Sequence, residues 1–141
     1  DDADINYCDF FSKTHPFRRK NFPIAFFPIV GIFAEDCDYK IRECYISLQR
    51  LFVNGYIGNE QCTFMLRYGG SGNRLIVAKV QFIHRRVGKM TELYRILKHI
   101  QRVYKSGKIE IESVRSDEMK NWCLKNGFIL KHGTDSCYSE P

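Results

Sequence analysis

Met90 to Tyr104 is the segment that most limits how this chain can fold. Met90, Leu93, Tyr94, Leu97, Ile100 and Tyr104 recur at three- and four-residue steps, while Arg95, Lys98, Arg102 and Lys105 cover the opposite side. That is an amphipathic helix with one apolar stripe. Runs with a two-residue period flank it, Arg74 to Ile83 before and Ile109 to Val114 after. A helix joining two strands in this way carries the chain back across a sheet, so those strands lie parallel. Gln61 to Tyr68 is joined to Arg74 by Gly69-Gly70-Ser71-Gly72-Asn73, which reads as an antiparallel hairpin. The expected class is α/β (α+β), with a mixed, partly parallel central sheet flanked by helices.

The remaining segments are read by the same rules. Ser116 is a good N-cap, Asp117 and Glu118 suit a first helical turn, and Met119, Trp122 and Cys123 form an apolar face. Asn126-Gly127 closes that helix before a short strand, Phe128 to Leu130. Gly133 to Pro141, with Cys137 and Tyr138, is a candidate last strand that a partner could share, and the residues leave the oligomeric state open. Upstream, the acidic run Glu35 to Asp38 is expected to start a helix over Tyr39 to Val53, with Ile41, Cys44, Tyr45, Leu48, Leu51 and Phe52 on its stripe. Asn54-Gly55 stops it. Phe22 to Phe33 is aromatic and β-branched but broken by Pro23 and Pro28, and reads as short edge-strand pieces. Asp1 to Asn21 holds an acidic start, an aromatic cluster (Tyr7, Phe10, Phe11), a break at His15-Pro16 and a basic knot of Arg18, Arg19 and Lys20.

The 141 residues suit a single domain over 1–141. With 44% apolar and 27% charged residues, disorder, collagen and coiled coil are excluded as descriptions of the whole chain. No apolar run approaches the ~20 residues that cross a bilayer, so a soluble protein is expected. The sequence begins at Asp1 rather than Met, so a start upstream or a removed leader stays open. Cys8, Cys37, Cys44, Cys62, Cys123 and Cys137 contain no C-x-x-C pair. They are expected to be reduced and mostly buried, which places the chain in the cytoplasm. Together with His15, His84, His99 and His132 they lack zinc-ligand spacing, so no metal is expected.

The junction Phe82 to Met90 reads in two ways, as a solvated basic loop capped by Gly88 or as an anion site. A strand ends, basic residues and one Gly follow, and a helix starts at once. Free N–H groups at a helix N-terminus, together with its dipole, bind anions. Gly88 lets the backbone approach a phosphate, and Arg85, Arg86 and Lys89 add charge.

Arg85-x-x-Gly88-x-Met90, between a strand and an amphipathic helix, resembles the acetyl-CoA signature of the GNAT N-acetyltransferase superfamily. That signature is Gln or Arg, then Gly three residues on, then a small residue. Downstream, Ser116-x-x-Met119-x-x-Trp122-Cys123-x-Lys125-x-Gly127-Phe128 looks like the family's second signature. The resemblance covers Cys62 to Leu130, with 1–60 divergent. It implies an acyl-CoA N-acyltransferase fold in which an amine attacks the thioester of acetyl-CoA directly. It also implies that Arg85, Arg86, Val87, Gly88, Lys89 and Met90 cradle the pyrophosphate. The strand Lys79 to Ile83, through Gln81 and Ile83, would pair with the pantetheine arm where it splays from Ile109 to Ser113. Met90 stands where the family has a small residue, and Cys123 where it usually has a tyrosine general acid. Cys123 is therefore a candidate acid, beside Tyr94, Tyr104 and Tyr138. The strand before the link lacks a carboxylate, leaving Glu110 and Glu112 as substitute bases.

From His84 to Lys108, eight Lys and Arg face one acid, Glu92, giving +7 against +6 for the whole chain. Arg95, Lys98, Arg102 and Lys105 therefore form a candidate surface for nucleic acid or an acidic protein. Arg18, Arg19 and Lys20, interleaved with Phe17 and Phe22, would extend it. Three readings follow: an N-acyltransferase with an amine acceptor that the residues do not name, a GNAT-shaped binding module without catalysis, and an unrelated basic α/β nucleic-acid binder.

Overall fold

The computed structural model describes residues 23–141. The expectations for Tyr7, Phe10, Phe11, His15-Pro16, Phe17, Arg18, Arg19, Lys20 and Phe22 lie outside the described residues. A 3-10 turn, Ile24–Phe26, leads into α1 (Phe27–Asp36). Then come β1 (Ile41–Ser47), β2 (Arg50–Ile57), β3 (Glu60–Gly69) and β4 (Arg74–Gln81). They are followed by α2 (Lys89–Val103), β5 (Ile109–Ile111), α3 (Asp117–Lys125), β6 (Ile129–Leu130) and β7 (Cys137–Ser139). The sheet order is β1-β2-β3-β4-β5-β7-β6, and every neighbouring pair is antiparallel except β4 and β5. The mixed sheet and the helical crossover between its parallel strands follow the sequence periodicity.

The segment before β3 differs from expectation. Within the described residues, Pro23 to Phe33 does not form strand pieces: Phe27 onward is helical. Pro28 sits in the first turn, where its missing N–H is not needed. Ile29, Val30, Ile32, Phe33 and Ala34 are all buried, so burial overrides the β preference of the branched residues. Glu35 and Asp36 end this helix instead of starting the next. Tyr39 to Val53 is not a helix either, but the hairpin β1–β2. Its apolar spacing fits both periods. In the hairpin Cys44 pairs with Val53, both buried, and Tyr45 with Phe52, whose rings lie 5.5 Å apart. Leu48 sits at the turn and is 90% exposed, where the helical reading placed it on the buried stripe. What decides the matter is the edge of β3, whose backbone groups pair with β2 along its whole length.

At the other end, Cys137–Ser139 does not wait for a partner. It lies within the chain's own sheet, between β5 and β6. Tyr104 leaves the expected stripe and is 59% exposed.

Two details of β4 shape the site. Its register slips at Ala78, because Met65 faces Lys79 while Leu66 faces Val77. The extra residue is a β-bulge and shifts the inward phase from Leu75 and Val77 to Val80 and Phe82. The parallel pairing with β5 stops at the same level. Val77 pairs with Ile111, the Glu112 N–H donates to the Val77 carbonyl at 2.9 Å, and there the ladder ends. β4 runs on to Gln81, whereas the chain after Ile111 turns away at Ser113, whose φ is +58°. The expected strand Ile109 to Val114 is thus cut to three residues, and the two strands part.

Beneath them, the Phe33 ring stacks between those of Phe64 and Phe82, at centroid distances of 4.9 Å to each. Phe82 is the residue on which the link to α2 begins.

Candidate functional site

The link Phe82 to Gly88 holds its shape through left-handed backbone and one buried acid. Arg86 has φ +61° and Gly88, the N-cap of α2, φ +81°. No side chain caps α2, so the N–H groups of Lys89, Met90 and Thr91 stay available at the helix start. Asp36, fully buried at the end of α1, accepts the Ile83 N–H at 2.7 Å and the His84 N–H at 2.9 Å. Its Oδ1 also lies 3.1 Å from His84 Nδ1. An acid at a helix C-terminus is unfavourable for the dipole. Here three donors from the link offset that cost and pin the link to α1.

α3 forms the opposite wall. Ser116 Oγ accepts the Met119 N–H at 3.1 Å as the sequence implies, and Trp122 Nε1 donates to Thr91 Oγ1 at 3.1 Å, tying α3 to the start of α2. Arg86 Nε lies 3.6 Å from a Glu118 carboxylate oxygen, an exposed pair of little energetic consequence.

Between these walls is a cavity of about 260 Å³. Gln81, Arg85, Arg86, Gly88, Lys89 and Met90, all candidate cofactor residues, line it together with His84. Ile83 and Val87 do not line it; the Ile83 N–H is taken by Asp36, and Val87 is 63% exposed. A second cavity of about 400 Å³ opens where β4 and β5 part, and Val80, Ser116 and Met119 line both. The split strands thus give one cleft with two mouths.

The candidate catalytic residues are dispersed. Glu112 lines the second mouth, and the Arg67 guanidinium grips its carboxylate at 3.0 and 2.8 Å. Glu110 is buried at the far end of β5, between Arg74 at 3.2 Å and Lys131. It borders neither mouth. Tyr94 packs edge-on against Trp122, its hydroxyl 3.3 Å from Ser139 Oγ, and the Lys108 ammonium lies 4.5 Å from the Tyr138 ring centre. Arg95, Lys98 and Arg102 are exposed along α2, and Lys105 is exposed just past its end. Arg95 and Arg102 line a groove with Ile24, Val103 and Tyr104.

Cys123 is buried beneath α3, its sulfur 3.1 Å from that of Cys137. The hydrogen bond with Cys137 and burial together push its thiol well above the ordinary range. In the folded protein it is expected to resist a thiol reagent at pH 8 and to react once urea unfolds the chain. Above pH ~8.5 the unfolded thiol loses its proton while the buried one keeps it, so this group's contribution to stability fades as pH rises. Urea midpoints at pH 7 and pH 9.5 should therefore differ less in Cys123→Ala than in the parent.

Sequence reasoning missed Asp36 and the orientation of His84. Forty-eight positions separate them, and only the docking of α1 against the link unites them.

Among the described residues no helix is long and apolar enough to cross a membrane, and no cluster of three or more His, Cys, Asp or Glu side chains is placed to hold a metal ion. No family model and no curated protein matches the chain. Among solved structures it is similar to the PaiA N-acetyltransferase of Thermoplasma acidophilum in complex with coenzyme A, with 16% identity and a TM-score of 0.47. That similarity covers 67% of this chain and 62% of the Thermoplasma chain.

Proposed function

We propose that the chain is an acyl-CoA-dependent N-acyltransferase that uses acetyl-CoA and an amine acceptor. One observation carries the reading: the uncapped N-terminus of α2, the cations Arg85, Arg86 and Lys89, and the gap between β4 and β5 all open on the same cleft. A pyrophosphate fits the first feature, because backbone N–H groups and cations converge there. An extended arm fits the second, because β4 from Lys79 to Gln81 has no β5 neighbour. Acetyl-CoA bound this way would supply an activated acyl group. The chain's residues would hold the phosphates at one mouth and leave the other to the amine. Met90, in place of a small residue at the first turn, is compatible with this, since it packs partly into the core.

Calorimetric titration with acetyl-CoA, with desulfo-coenzyme A and ATP as controls, tests this. Micromolar affinity with ATP much weaker is the expected result; no heat at millimolar acetyl-CoA overturns it.

A second reading, a binding module for nucleic acid or an acidic protein, draws on the exposed cations Arg95, Lys98, Arg102 and Lys105. Among the described residues none of the four has an ion-pair partner. Affinity for an RNA or DNA oligomer that falls steeply with salt, without acetyl-CoA binding, would favour it.

A further inference from the structure

We propose that the mouth where β4 and β5 part selects an acceptor amine with a carboxylate near its nitrogen, and that Lys79 and Arg115 read that carboxylate; this rests on the acyltransferase reading above. The mouth, a cavity of about 400 Å³, shares Val80, Ser116 and Met119 with the cavity at the start of α2. Those three mark its inner end, where a thioester drawn along β4 meets an amine. The charged side chains that line this mouth and not the other are Lys79, Glu112 and Arg115. Ala78 and Ile111 add apolar wall, which strengthens the pull of nearby charges.

The three charges differ in what they have left to offer. The Arg67 guanidinium donates to both oxygens of Glu112, at 3.0 and 2.8 Å, and both side chains are partly buried. A fork of this kind takes up the carboxylate's charge, so Glu112 has little left for an ammonium group. Lys79 is exposed and, among the described residues, pairs with no acid. Arg115 Nε lies 3.6 Å from Asp135, an exposed pair that costs little to leave, and Asp135 is not part of the mouth's lining. The described lining therefore offers free positive charge and no free negative charge. The neighbouring cavity has the same sign, since its acid Glu118 sits opposite Arg86 while Arg85 and Lys89 stand beside it.

A polyamine, or a lysine within a basic tail, brings a second cation that needs a carboxylate to receive it. Among the described residues of this mouth none is free. An amine beside a carboxylate is matched instead: the carboxylate pairs with Lys79 and Arg115 while the nitrogen turns to the inner end. A solvated lysine on a strand accounts for Lys79 by itself. It does not account for a mouth whose single acid is already held by a cation from β3. The reaction served is the same acyl transfer. The neutral amine nitrogen bonds to the thioester carbonyl carbon, the carbon–sulfur bond breaks with its electron pair on sulfur, and the proton shed by nitrogen ends on the thiolate.

The test is thiol release from acetyl-CoA by the whole protein with γ-aminobutyrate, n-butylamine and putrescine as acceptors. These keep the amine and the carbon chain and change the far end from negative to neutral to positive. A second arm uses short peptides with an N-terminal serine followed by aspartates or by lysines, which tells a free amino acid from an acidic peptide. In at least one arm kcat/KM for the anionic member should exceed that of the cationic member by roughly tenfold or more, and added salt should shrink the preference. Lys79→Glu should lower that ratio by roughly tenfold, and Arg115→Glu should do so to a smaller degree. The ratio is read within one variant, so a general loss of activity or of acetyl-CoA affinity does not move it. Preference for putrescine or the lysine peptide in the parent would overturn the proposal. So would a ratio unmoved in both variants, or a parent that binds acetyl-CoA yet acylates no member of either arm. A parent that shows no calorimetric binding of acetyl-CoA sinks the acyltransferase reading instead, so the two failures are distinct. If Lys79→Glu does not fold, Arg115→Glu decides alone.

Discussion

Gly88→Glu should lower the affinity for acetyl-CoA at least ~100-fold while the protein stays folded, a loss of about 2.8 kcal/mol of binding free energy. Gly88 is the N-cap of α2 with φ +81°, and a Cβ built there meets nothing within 4 Å. A side chain therefore fits without a clash, at a backbone cost of roughly 1–2 kcal/mol for the left-handed conformation. What changes is charge. A carboxylate at this point competes for the N–H groups of Lys89, Met90 and Thr91 and pairs with Arg85, Arg86 or Lys89, the partners a phosphate would need. Gly88→Ala carries the same strain without the charge, so its affinity should stay within about fivefold of the parent. Calorimetry on the two variants separates strain from electrostatics. Equal affinity in Gly88→Glu and the parent would remove the anion site from this cleft.

Phe33→Ala should cost roughly 3–5 kcal/mol of stability, the usual range for emptying a buried aromatic site. Phe33 is fully buried on α1, and its ring is stacked between Phe64 of β3 and Phe82. Collapse into the void is hindered because both neighbours are fixed by other elements, Phe64 by the sheet ladder and Phe82 by the link. The loss should register as a lower urea midpoint. Acetyl-CoA binding should weaken with it, because Phe82 opens the link. A change below 1 kcal/mol would mean that this stack does not hold α1 to the sheet.

Much of β4 was legible because its apolar residues report their own geometry. Leu75 and Val77 keep one phase, Val80 and Phe82 the other. That break in alternation is the bulge seen in one dimension, and it marks where β4 leaves β5. The basic link was legible for a similar reason: cations and a glycine beside a helix start have local consequences. The hairpin β1–β2 was not. Ile41, Cys44, Tyr45, Leu48, Leu51 and Phe52 satisfy a helical stripe, and only the pairing with β3 makes the strand form lower in free energy. α1 misled in the opposite sense, since a helix buried nearly all round has no polar face to mark its period.

What the sequence determined by itself is the crossover β4–α2–β5, the capped α3 and the cationic start of α2, all features set by neighbours within a few residues. The tertiary structure alone decided that Glu110 lies between Arg74 and Lys131, that Cys123 faces Cys137, and that Asp36 meets His84. Each of these is a polar contact between segments at least 14 positions apart. Periodicity says which face of an element turns inward. Which charged or thiol group waits on the neighbouring element depends on how the elements dock, and that is settled by packing the core as a whole.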